Sequence, residues 1–147
     1  DDVKQTLTES GVSNSILYVN EFLFALEKGI SFNLDGNIDI EHIMPKSGLN
    51  RENIMSDAGL ESQEEFRDYA ERIGNKILLE ADINRSIQDS WFRSKRKNTI
   101  TSGHGYIGSK FPIAKSLVNY LNDTWTKTDI EAATEKAATR IADFIFE

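Results

Sequence analysis

Three short segments of this 147-residue chain hold residue types that together could activate water and hold a cation. The first is Glu41-His42, followed by Ile43-Met44-Pro45. The second is Gly74-Asn75, which opens the run Lys76-Ile77-Leu78-Leu79. The third is Asp82-Ile83-Asn84-Arg85. An imidazole titrates near neutral pH, so His42 suits a base that takes a proton from water. Oxygen from the Glu41 carboxylate and the Asn84 carboxamide suits a hard divalent cation that keeps part of its water shell. A base that makes hydroxide and a cation that stabilises developing negative charge are what phosphodiester hydrolysis requires.

The composition closes the other routes to such a site. With no cysteine there are no disulfides, no thiolate zinc sites and no cysteine nucleophile, and two histidines cannot build a multi-histidine cage. Any metal must be held mainly by oxygen, which favours Mg²⁺ or Mn²⁺. The net charge of −7 argues against an autonomous, tight nucleic-acid binder. Positive charge is nevertheless concentrated in Arg85, Arg93, Lys95, Arg96 and Lys97, which could form a local basic face. No apolar run reaches the ~18 residues of a membrane span. The polar opening Asp1 to Thr8 is not a signal peptide, and the missing initiator methionine suggests a piece of a longer chain or a processed product.

These residues must be positioned by local elements. Ser15 to Lys28 carries Ile16, Leu17, Val19, Phe22, Leu23 and Leu26 at helical spacing and stops at Gly29. After the turn Asp35-Gly36-Asn37, Ile38 to Ile43 alternates as a half-buried strand does, and Met44-Pro45 ends it. Lys46 to Gly59 reads as a long loop. Ser62-Gln63-Glu64-Glu65 has the form of a capping box for a helix that runs to Gly74. Asn75 to Leu79 reads as a second strand. Asp82 caps a helix carrying Asn84, Ile87, Trp91 and Phe92 toward the basic residues. Thr99 to Lys110 reads as a loop. Phe111 to Leu121 and Asp129 to Phe146 read as closing helices, the latter capped by Thr128 with Glu131. Adjacent residues on a regular strand face opposite ways, so a bulge or twist beside Pro45 is expected if Glu41 and His42 are to share a site.

Glu41-His42-Ile43-Met44-Pro45-Lys46-Ser47, then Gly74-Asn75-Lys76-Ile77-Leu78-Leu79, then Asn84-Arg85, resembles the HNH, or ββα-metal (His-Me finger), endonuclease motif. The pattern is similar to the HNH domain of RNA-guided CRISPR effector nucleases. It is closer still to the C-terminal domain of GmrSD-type, modification-dependent restriction enzymes. That second resemblance extends to the opening helix, Trp91 to Lys97, Tyr106 with Ser109, Trp125 and Arg140. The resemblance implies His42 as general base, Glu41 and Asn84 as metal ligands, and Asn75 as the residue bracing the loop that carries the base. It further implies DNA as substrate, a ParB-like nucleotide-hydrolysing domain N-terminal to this one, restriction of foreign DNA, and a bacterial or archaeal cytoplasm. Asparagine rather than histidine at position 84 again favours Mg²⁺ or Mn²⁺.

The expectation is a single, mostly helical α+β domain over 1–147, with a ββα-metal core of a two-stranded antiparallel hairpin and flanking helices. Its activity would be divalent-metal-dependent cleavage of DNA. One base and one metal site would nick one strand, so a double-strand break would need two copies, as in a dimer. Plainer readings stand beside this one. Glu41 could face solvent, Asn75 could only build a turn, and Asn84 could only belong to a helix cap. His104, among glycines, reads as uninvolved, and Trp91, Phe92 and Trp125 as core. Lys95 and Arg85, placed on one helix, are the expected phosphate clamps. An inactive HNH fold that binds DNA or protein is the alternative, as is an RNase of the same chemistry.

Overall fold

The structure, a computed structural model, describes residues 2–46, 51–96 and 105–146. Ser47, Lys97 and His104 lie outside the described residues. The described residues are 61% helical around a two-stranded antiparallel sheet, an α+β fold dominated by helix. The helices are α1 (Asp2–Leu7), α2 (Ser15–Lys28), α3 (Arg51–Asp57), α4 (Gln63–Ala70), α5 (Ala81–Ile87), α6 (Phe92–Arg96), α7 (Pro112–Ser116) and α8 (Lys127–Phe146). The strands are β1 (Ile38–His42), between α2 and α3, and β2 (Lys76–Glu80), between α4 and α5. Short 3-10 turns cover Ile73–Asn75, Tyr106–Gly108 and Leu117–Asn119.

The two strands pair from Ile38↔Glu80 to His42↔Lys76 without interruption. The register dictates which residues share a face. Asp39 and Glu41 lie opposite Leu79 and Ile77, which join one core with Ile83 and Ile87 of α5, Phe92 of α6 and Tyr106. Ile40 and His42 lie opposite Leu78 and Lys76; Leu78 joins a second core with Leu17 and Leu23 of α2 and Ala137 and Ile141 of α8. Because both faces are covered, β2 is buried at Lys76 to Leu79 and reads as an apolar run rather than an alternation. Gly74 permits the closest approach: a Cβ there would meet the Thr134 backbone nitrogen at 2.4 Å and the Ile130 carbonyl oxygen at 2.6 Å. Its own N–H donates to Thr134 Oγ1 at 3.1 Å, fixing α8 against the start of β2.

Several elements differ from the sequence reading, each for a local reason. The segment read as a loop over 46–59 contains α3, whose Ile54 is buried together with Ala58 four residues on. Ser62 caps α4 as expected, accepting from the Glu65 N–H at 3.0 Å, but the Glu65 carboxylate returns to the Glu61 N–H rather than to Ser62. Helix α4 ends at Ala70, and the 3-10 turn at Ile73–Asn75 leads straight into β2. Asp82 is not a cap: α5 begins at Ala81, directly off the strand, with Asp82 in its first turn. That helix stops at Ile87, where Gln88 adopts a φ of 45°, so Asn84 and the basic residues of α6 are not on one helix. The helix expected over 111–121 is only α7 plus a 3-10 turn. Thr128 is inside α8; the Asp129 carboxylate turns back to accept from the Thr126 N–H and hydroxyl, both at 2.8 Å.

Candidate active site

The turn after β1 carries His42, and two buried side chains hold it from different directions. Asn75, fully buried, accepts from the Met44 N–H at 2.8 Å and donates to the Met44 carbonyl at 3.0 Å and the Ala70 carbonyl at 3.1 Å. Its own carbonyl accepts from the Ile43 N–H at 2.9 Å. A side-chain amide that satisfies both polar groups of one residue imitates a strand partner beyond the last rung of the sheet. Together these bonds tie the turn after His42 to the start of β2.

Lys95 holds the turn from α6. Its ammonium is fully buried and donates to Glu41 Oε2 at 2.8 Å, the His42 carbonyl at 2.9 Å and the Ile43 carbonyl at 3.2 Å. An ammonium has three protons, and all three are used. Lys95 therefore cannot reach a phosphate as expected; it pins the backbone on either side of the His42–Ile43 peptide. The charge is tolerated inside because Glu41 pairs with it. Tyr106 donates its hydroxyl to the same Oε2 at 2.7 Å. Burial, then the neighbouring Glu41 charge, holds the Tyr106 phenol well above its ordinary range, so it remains a donor. Both donors take Oε2, and Oε1 of Glu41 has no hydrogen bond among the described residues.

His42 is on the other face. The strand pairing runs without a bulge through His42 and the chain bends only after it, at Ile43 and Met44, so Glu41 and His42 point apart, as regular pleating requires. The imidazole is half-buried, and its Nε2 lies 3.1 Å from Glu71 Oε2 just past the end of α4. Lys46 and Lys76 lie 3.5 and 3.6 Å from the same carboxylate. Burial pushes the His42 imidazole below its ordinary 6.5, against the pull of Glu71 in the other direction. Burial raises the Glu71 carboxyl, but His42, Lys46 and Lys76 together carry it below its usual value. A neutral imidazole that donates Nε2–H to an ionised carboxylate keeps its Nδ1 lone pair free to take a proton. Glu71 is a functional candidate that the sequence did not reveal, since it lies 29 positions and two helices beyond His42.

Asn84 lies against the face that carries Glu41, where its Nδ2 donates to Asp39 Oδ2 at 3.0 Å. Asp39, Glu41 and Asn84 thus place two carboxylates and a carboxamide on one side of the hairpin, against α5. Carboxylate and carboxamide oxygens suit a hard cation in type, while here Glu41 Oε2 is held by Lys95 and Tyr106 and Asn84 presents its amide nitrogen to Asp39. No group of three or more histidines, cysteines, aspartates and glutamates with metal-holding geometry occurs among the described residues. The basic cluster is divided. Arg96 donates to the Tyr120 carbonyl at 3.0 Å, pairs with Asp123 and lies over the Phe92 ring, which occupies its guanidinium. Arg85 and Arg93 are exposed, and Lys97 lies outside the described residues.

Among the described residues no helix is long and apolar enough to cross a membrane. No curated protein and no solved structure matches the chain. The sequence profile for the C-terminal domain of GmrSD restriction endonucleases, by contrast, matches residues 2–139, which takes in β1, β2, α5 and the first part of α8. The chain belongs to the family of GmrSD restriction endonuclease C-terminal domains.

Proposed function

We propose that this domain is the HNH-type nuclease of a restriction enzyme, hydrolysing DNA phosphodiesters with a bound Mg²⁺ or Mn²⁺. The observation that supports it most is the grip on the His42 turn: Asn75 and Lys95 between them bind the main chain of residues 42, 43 and 44. A fold that served only as a binding module would have no need to fix one half-buried imidazole so firmly. His42, neutral and oriented by Glu71, accepts the proton of the attacking water, and Glu71 stabilises the imidazolium that forms. Asn84, with Asp39 and Glu41, would hold the divalent ion, which would stabilise the charge building on phosphate. Because His42 and Asn84 lie on opposite faces of the hairpin, a scissile phosphate would have to reach both round the edge of β1. Arg85 and Arg93 are the cations free to contact neighbouring phosphates. The acidic total leaves much of the DNA affinity to another part of the restriction enzyme, such as an N-terminal ParB-like domain or a second copy.

Nicking of supercoiled plasmid, with Mg²⁺ or Mn²⁺ and an EDTA control, tests this. His42→Ala is expected to abolish nicking and leave the thermal melt nearly unchanged. Cleavage that survives in that variant, or in EDTA, would refute the assignment. Cleavage of single-stranded RNA in place of plasmid would move the substrate and keep the chemistry.

A further inference from the structure

We infer that the cavity behind the His42 turn is a binding pocket for a single nucleobase, turned out of its stack beside the cleavage site. This rests on the nuclease reading for its substrate class, but not for its physical basis. The cavity encloses about 280 Å³ and is walled by Met44, Pro45, Trp91, Phe92 and Trp125. That is close to the lower limit of about 300 Å³ for small-molecule sites, a size for one planar ring system rather than for a peptide or a lipid chain. Met44 and Pro45 follow His42 by two and three residues, so this wall is continuous with the His42 turn, although His42 itself does not line the cavity.

The chemistry of the walls selects the occupant. Trp91 and Trp125 are the only tryptophans in the chain, and both face this one space. The Trp125 ring is set at 5.3 Å from Phe92 and 5.1 Å from Tyr120, so it is held rigidly from behind. The Trp125 Nε1–H is buried and has no hydrogen-bond partner among the described residues, a donor left uncompensated in a residue of this wall. At the rim, exposed Asp57 offers an acceptor for an exocyclic amino group, and exposed Arg93 a partner for the attached phosphate. Aromatic faces, a ring-edge donor, the Asp57 carboxylate and the Arg93 cation match a nucleotide with an amino-bearing base, such as a cytosine or adenine nucleotide; the second rim carboxylate, Asp123, is paired with Arg96. The negative total charge of the chain weighs against a free anion being drawn here without a ring to stack.

Both tryptophans report directly on the site. His42→Ala protein in EDTA, which cannot cut, is titrated with dCMP, dAMP and 2-deoxyribose 5-phosphate while tryptophan emission is followed. Saturable quenching by dCMP or dAMP, and none by the base-free sugar phosphate, is expected. Trp91→Leu leaves Trp125 as reporter and should weaken binding about tenfold, the worth of one stacked ring. Arg93→Ala, a surface change that should not touch folding, should weaken it a few-fold. Absence of quenching by either nucleotide, equal quenching by the sugar phosphate, or unchanged affinity in both variants overturns the pocket. Plasmid nicking is scored separately on the wild type. Nicking without base binding removes the pocket alone, and base binding without nicking removes the nuclease reading alone.

Discussion

The proton acceptor proposed here owes its properties to its surroundings. Burial keeps His42 neutral at neutral pH, and Glu71 partly opposes that by favouring the charged ring. The sign of a Glu71→Gln change follows. Removing a carboxylate that raises the His42 value lowers it further, so the acid limb of the pH–rate profile moves to lower pH. The plateau rate should fall at least tenfold, because the imidazolium loses its stabilising partner and the ring its orientation. A rate profile between pH 5 and 8, for wild type and Glu71→Gln, checks this. A limb that moves upward, or a plateau that does not fall, would exclude Glu71 from the mechanism.

At the level of elements, α6 is short, yet it is attached to the site through one residue. Lys95 reaches from it to Glu41 and to two main-chain carbonyls of the turn. Lys95→Met should cost about 3–5 kcal/mol of stability, because it leaves Glu41 buried without its countercharge. The double variant Lys95→Met, Glu41→Gln removes that stranded charge and should recover part of the loss. Denaturant titrations of the three proteins decide the matter, and additive losses would show that the pair is not coupled. Tyr106→Phe should cost less, about 1–3 kcal/mol, since it removes one hydrogen bond to Glu41 and leaves the ion pair.

On the scale of the whole molecule, one buried acid links stability to pH. Glu21 of α2 sits almost fully buried and accepts from the Ile113 N–H at 2.8 Å, while its Oε1 has no partner. Burial pushes its carboxyl up to about 7, though Ile113 and Arg140 draw it down. The folded protein therefore holds a proton that the unfolded chain, near 4.5, has released. That contribution is complete below pH 4.5 and disappears as pH rises through about 7. By pH 8 the difference is about 3 kcal/mol, from the shift alone. Glu21→Gln should flatten this part of the stability–pH curve and melt higher than wild type at pH 8. Equal pH dependence in the two proteins would show that Glu21 is not buried as a carboxylic acid.

What the sequence determined by itself was the local content. Periodicity and turn residues placed α2, both strands and the long final helix, and the order of Glu41-His42, Asn75 and Asn84 identified the family. Those signals are written within a few residues of where they act. Two short helices, α3 and α6, were absorbed into a loop and a longer helix, because five to seven residues carry too little pattern to stand out. Only the tertiary structure decided what each charge does. Nothing local distinguishes Lys95, buried and fully bonded, from Arg93 two residues earlier, which is exposed. Nor could spacing show that Glu71 and Lys76 come to His42, or that Asn84 meets Asp39. A side chain's partner is set by which faces the packed elements bring together, and charge alone carries no record of that.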